Sequence, residues 1–139
     1  MWEEDFHKVI VDYAETDNVD WGVIDYTVNL PAILIGLVDA QPIRGISKDV
    51  KTNYALVRVD VWSDDVREAM VIKNKLVNID GYRSNEGGTI DSVILNGVKQ
   101  NKQVDEGKNP IYLYMIEFKI VYNNINTSIE TNLEEEKNG

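Results

Sequence analysis

YALVRVDVWSDDVREAMVIKNKLVNID, residues 54–80, reads as one strand feeding directly into one helix, and the rest of the chain is arranged around it. The odd positions Ala55, Val57, Val59 and Val61 are apolar and alternate with Arg58 and Asp60, the period of two of a strand with one buried face. The odd face is therefore expected in the core. Ser63 stands where a helix N-cap belongs, and Asp64 and Asp65 follow where carboxylates meet the positive end of the helix dipole. Val66, Ala69, Met70, Ile72, Leu76, Val77 and Ile79 then recur at helical spacing. Gly81 follows, free to take the left-handed conformation that closes a helix, so the helix is expected to stop near Asp80.

Working outward toward the N-terminus, Trp2, Phe6, Val9, Ile10 and Tyr13 fall on one face of an amphipathic helix, with Glu3, Glu4, Lys8 and Asp12 on the other. Turn formers from Asp17 to Asp20 end it, and Trp21 to Val28 reads equally as a short extended piece or an ordered loop. Pro31 opens the run Ala32-Ile33-Leu34-Ile35-Gly36-Leu37-Val38, apolar on both faces, which suits a strand near the middle of a sheet. From Asp39 to Asn53 the polar composition predicts a long loop or open hairpin.

On the other side, Ser84 to Gly88 forms a turn and Thr89 to Asn96 a strand, with Ile90 and Ile94 on one face. Asn96-Gly97 is a strong turn signal, so residues 97–110 are expected as an exposed loop or projecting hairpin. Tyr112, Tyr114, Ile116, Phe118, Ile120 and Tyr122 alternate with Glu117 and Lys119, which predicts a strand over 111–122 with its even face in the core. The last stretch, NNINTSIETNLEEEKNG, is too poor in apolar residues to offset its ordering entropy and is expected as a flexible acidic tail over 123–139. The order helix, strand, strand, helix, strand, strand describes a single α+β domain: a mainly antiparallel sheet with two helices packed on it.

Composition narrows the chemistry. The chain has 139 residues, 43% of them hydrophobic, enough for one domain with a real core. It has no cysteine, which excludes a disulfide framework, a thiol nucleophile and a thiolate metal site. No apolar run is long enough to cross a bilayer and the start MWEEDF is acidic, so no membrane partner and a soluble cytoplasmic protein are expected. A net charge of −10 opposes sequence-independent binding of nucleic acid.

Catalytic patterns are not found. The single histidine, His7, lies among charged neighbours on the polar side of the first helix and is expected to be solvated. Asp17 with Asp20, and Asp60 with Asp64 and Asp65, are the acidic groupings that a divalent cation would use, but neither has EF-hand spacing. There is no G-x-S-x-G elbow, G-x-x-x-x-G-K-[ST] loop or G-x-G-x-x-G turn, so neither hydrolase chemistry nor phosphate cradling is supported. No cofactor is expected, and no enzyme activity.

Contact surface is better supported. Trp62 ends the central strand on its even face together with Tyr54 and Leu56, a strip covered either by another subunit or by the N-terminal helix. Arg44, Lys48 and Lys51 in the first loop, and Lys99, Lys102 and Lys108 in the second, concentrate positive charge on two projections from an acidic body. That pattern favours docking of acidic neighbours, and these residues with Trp62 are the candidate interface.

The amphipathic first helix, Trp21-Gly22-Val23, Leu30 to Ile35, the strand-to-helix unit Val57 to Ser63, Asp91 to Leu95 with its polar loop, and the closing Tyr112 to Tyr122 follow one another in an order and spacing that resembles the tail-terminator (tail-completion) family of long-tailed bacteriophages. The resemblance covers roughly residues 2–122, the expected terminator-like domain. It implies a homo-oligomer, in that family a hexameric ring, at the head-proximal end of the tail tube, ending tube growth and joining tail to head. The implied partners are the tail tube protein and head-completion or neck proteins, with DNA passing through the lumen without specific binding. The implied location is the virion neck, after assembly in the host cytoplasm. Three other readings remain: a head-completion (stopper) or tube protein of the same assembly, a small metal-dependent enzyme using Asp60, Asp64 and Asp65, and a monomeric ligand-binding domain.

Overall fold

The computed structural model describes residues 1–22, 29–42, 52–103 and 110–123. In chain order the elements are α1 (Trp2–Ala14), β1 (Val19–Trp21), β2 (Ala32–Pro42), β3 (Thr52–Ser63), α2 (Val66–Val77), β4 (Ile90–Gln103) and β5 (Ile111–Asn123). The strands form one sheet in the order β1-β2-β3-β5-β4. All neighbours are antiparallel except β1 and β2. The α+β reading thus holds, with one short parallel strand added to it.

The core lies between the sheet and its two helices. Ala55, Val57, Val59 and Val61 of β3 are fully buried there, as are Ile116, Phe118 and Ile120 of β5. From α1, Phe6 meets the Phe118 ring edge-on at 6.0 Å and Trp2 stacks on Tyr122 at 5.1 Å. From α2, Ala69, Ile72 and Leu76 complete the layer. Both helices therefore pack on the same sheet face, the one the alternation assigned to the core.

Several expectations are corrected. Ser63 is not the N-cap. It is the last residue of β3, paired with Tyr112, and the cap falls two residues later at Asp65, whose carboxylate accepts from the Arg67 and Glu68 N–H groups. Ser63 Oγ instead accepts from the Asp65 N–H at 3.0 Å and donates to Glu68 at 2.9 Å, so it braces the turn into the helix. α2 also ends earlier than expected, at Val77. Residues 78–80 continue only as tight turns, with N–H groups bonded three residues back, and Gly81 at φ 86° swings the chain onto the edge of β4.

Asn96-Gly97 is not a turn. The register shifts by one residue between Leu95 and Gly97, and β4 runs on to Gln103 opposite Ile111. The pair marks a β-bulge in a long strand, and Gly97 has no positive φ to close a hairpin. The projecting-hairpin alternative survives only as the far end of β4 and β5. Likewise β2 and β3 extend into the expected loop, pairing as far as Pro42 opposite Asn53. The turn expected over Asp17 to Asp20 is in part the strand β1, which pairs Val19 with Ile33 and Trp21 with Ile35; of the span left open from Trp21 to Val28, residues 23–28 lie outside the described residues. Residues 43–51, 104–109 and 124–139, including the expected tail, lie outside the described residues.

Candidate functional site

The sheet face away from the helices carries none of the described helices. Strand alternation places Tyr54, Leu56, Arg58, Asp60 and Trp62 of β3 on it, facing Val121, Lys119, Glu117, Met115 and Leu113 of β5 in register. Charged groups therefore gather in the three middle rows of this face, and apolar or aromatic ones in the two end rows. Its middle is set by Arg58, whose guanidinium grips both carboxylate oxygens of Asp60, two residues along the same side of the strand, at 2.9 and 3.0 Å. Burial pushes the Asp60 carboxyl above its ordinary value of 3.8, and the hydrogen bond and charge of Arg58 pull it part of the way back. Beside them, a hollow of about 380 Å³ is lined by Val38, Arg58, Gly97, Lys99, Met115 and Glu117.

Of the expected interface residues, Trp62, Lys99 and Lys102 fall within the described structure. Trp62 is half-buried on the open face, not under the N-terminal helix, which packs on the opposite side. Its indole N–H is shielded from water and has no acceptor. Lys99 shares that face two strands away, in the row of Asp60 and Met115. Lys102 lies on the other face of β4, its ammonium 5.9 Å from the Tyr112 ring centre. Arg44, Lys48, Lys51 and Lys108 lie outside the described residues.

His7 is engaged, not simply solvated: its Nε2 lies 2.7 Å from the Val19 carbonyl oxygen, tying α1 to β1. The acidic groupings are also committed elsewhere. Asp65 caps α2 and Asp60 holds Arg58. Among the described residues no three acidic or histidine side chains converge where a metal ion would sit.

The outer side of β4 and the β1 side of β2 are each covered by described segments over only part of their length, a feature that periodicity does not reveal. On β4, the chain leaving α2 takes the outer side: Gly81 N–H donates to the Val93 carbonyl at 2.8 Å, Val93 N–H to that of Tyr82 at 3.0 Å, and Leu95 N–H to Asp80 at 2.8 Å. From Gly97 to Gln103 no described segment lies alongside. On β2, β1 covers Ile33 to Ile35, and Gly22 N–H closes that pairing at 3.0 Å on the Ile35 carbonyl. From Gly36 to Pro42 no described segment follows, and Leu37 and Val38 are each 56% exposed. The Gly36–Pro42 half of β2 lies level with Asn53 to Arg58 of β3, and the Gly97–Gln103 half of β4 level with Arg58 and beyond. The two stretches without a described neighbouring strand thus occupy diagonally opposite corners of the sheet.

No family model matches the sequence, and no curated protein matches it. In fold the chain is similar to a chain in the solved structure of the virion of a native gene transfer agent (GTA) particle, at a TM-score of 0.49 and 12% identity, over 83% of this chain and 85% of that one. A likeness of that size fixes neither a family nor a function.

Proposed function

We propose that the chain is a structural subunit of a phage-like virion that closes into a ring at the head-proximal end of a tail tube, ends tube growth there and joins tail to head. The single observation that carries this reading is a sheet with two unlike outer sides, β1 beside β2 at one and β4 at the other, whose far corners have no neighbouring strand among the described residues. Two different surfaces, one on each side, suit heterologous contacts between like subunits, and such contacts generate rings when the rotation closes. The family resemblance supplies the place of the ring and its six copies. Of the pieces that carry the resemblance, helix α1, the strand from Ala32 and the closing strand β5 are present, whereas the polar loop after Leu95 is the continuation of β4.

In this role the chain needs no active site. The acidic balance of −10 repels phosphate and lets DNA pass without sticking. Arg44, Lys48, Lys51, Lys99, Lys102 and Lys108, with Trp62, are then contacts to tube, neck or neighbouring subunits. The same unlike sides also suit a tube subunit, whose contacts repeat without closing into long filaments.

Absolute mass measured by light scattering behind a sizing column, over a concentration series and with negative-stain imaging of the assembled fraction, separates the two. Discrete open-centred rings are expected; long filaments would transfer the reading to a tube protein. A chain that stays monomeric at every concentration and also leaves growing tubes unblocked would sink both.

A further inference from the structure

We infer that the closing acidic stretch of the chain, Ile125 to Glu136, docks on the outward side of α2 in its own copy. The contact requires no ring, and it gives that stretch a receptor within the domain.

Helical spacing sets the surface. Ala69, Ile72 and Leu76 are the buried residues of α2 and turn one side of it to the sheet. Arg67, Met70, Val71 and Asn74, at i, i+3, i+4 and i+7, form the stripe opposite, and all four are exposed. An amphipathic helix carries polar groups on that side, yet Met70 is 43% and Val71 51% exposed. Val66 and Val77, both half-buried, extend the apolar strip toward the two ends of the helix.

Around this strip the helix is basic. Its cations are Arg67, Lys73 and Lys75, and its one carboxylate, Glu68, is held by the Ser63 hydroxyl at 2.9 Å. Lys73 stands 5.3 Å from the Tyr114 ring centre and Lys75 3.5 Å from Glu15, whereas Arg67 lies on the stripe itself, one turn before Val71. Asp64 and Asp65 precede the helix, so the positive charge runs along its body.

The sequence supplies the occupant. Ile125, Ile129 and Leu133 recur every fourth residue, a spacing that keeps them on one side of a helix and of a strand alike. Glu130, Glu134, Glu135 and Glu136 accompany them, and Lys137 is the single cation of residues 124–139. Apolar groups meet apolar groups, and carboxylates meet cations, when this stretch lies on α2. The exterior of α1 is of the wrong sign, since exposed Glu4, Asp12 and Glu15 outnumber Lys8. The α2 of a second copy fits no better, because it would set cations against cations.

Reach is sufficient. β5 ends at Asn123. The Gly81 N–H reaches the Val93 carbonyl at 2.8 Å and Val93 pairs with Ile120, so the chain leaving α2 lies level with a residue three short of that end. Val71 stands six residues before the end of α2, about 9 Å along its axis. The ten residues from Asn123 to Leu133 span up to about 35 Å. Attachment within one chain also keeps the stretch at a high effective concentration beside the helix.

The chain contains no cysteine, so introduced thiols are the only ones. Asn74→Cys, on the exposed stripe, is combined with Asn132→Cys, beside Leu133, in the full chain. Disulfide closure is timed under a fixed oxidant with unreacted thiols blocked, and the products are separated on a denaturing gel and weighed by mass spectrometry. Closed single chains are expected. Adding Met70→Ser with Val71→Ser, both at exposed positions, is expected to slow closure at least fivefold with an unchanged Tm. Glu134→Gln, Glu135→Gln and Glu136→Gln together are expected to slow it at least twofold.

No closure, or closure as fast with the two serines as without them, would overturn the docking. Linked dimers in place of closed single chains would also overturn it, by giving the α2 face to a second copy. None of these results touches the ring reading, which the mass and imaging measurements above decide separately.

Discussion

Asp64 and Asp65 are adjacent carboxylates with unequal work. Asp65 closes the first turn of α2 through two backbone N–H groups, whereas no described contact depends on Asp64. Asp65→Ala is therefore expected to cost about 1 kcal/mol in urea unfolding and Asp64→Ala less than about 0.5 kcal/mol; equal costs would return the cap to Ser63. Asp60 gives a pH prediction. Its folded pKa is raised above 3.8 because its charge is poorly solvated, so the stability linked to it is full below 3.8 and falls as pH rises through the folded value. Arg58→Met removes the partner that limits this rise. The variant should lose about 1–2 kcal/mol at neutral pH, and the gap to wild type should narrow as the pH falls toward 3.8. A gap that is flat with pH would show that the two side chains are not coupled. The pairing was legible only in part: alternation put Arg58 and Asp60 on one face, but nothing local distinguishes a carboxylate bound by its neighbour from one left open to a cation.

At the scale of elements, the two glycines that punctuate the sequence have opposite characters. Gly81 holds φ 86°, where an L side chain is strained, and from there its N–H reaches the Val93 carbonyl. Gly97 sits in the β4 bulge without positive φ, and a Cβ placed on it would meet no atom within 4 Å. Gly81→Ala should then destabilise by about 1 kcal/mol in thermal or urea unfolding, while Gly97→Ala should be neutral or stabilising by up to about 1 kcal/mol, through the unfolded chain. Were Gly97 the second residue of a tight hairpin turn, as its dipeptide suggests, the alanine would be costly. Asn-Gly is a turn signal because both residues accept left-handed backbone. The register of β5 overrides it here, holding the strand extended to the opposite end of the sheet. β1 escaped the sequence for a similar reason: three residues are too few to establish a period, and the strand exists because Ile33 and Ile35 supply its partners.

For the whole molecule, net charge opposes the association that the proposed ring requires. Copies carrying −10 repel one another through solvent, whereas packing between subunits acts at contact. Screening shortens from about 30 Å at 0.01 M salt to about 8 Å at 0.15 M and so weakens the repulsion between bodies more than contacts at short range. The assembled mass fraction, measured by light scattering, is expected to rise over that range. A fall would mean that association rests mainly on long-range attraction between oppositely charged patches.

The sequence by itself determined which residues face inward. Side chains alternate every second residue in a strand and return every 3.6 in a helix, so Ala55 to Val61, Tyr114 to Ile120 and the Phe6 face of α1 were committed to a core by local geometry alone. Only the tertiary structure decided which strands are neighbours, which described segments cover their edges, and that Arg58 belongs to Asp60. Those outcomes depend on residues far apart in the chain competing for the same hydrogen bonds and the same apolar surface. Strand partners, unlike strand faces, are settled when the whole sheet closes over its helices.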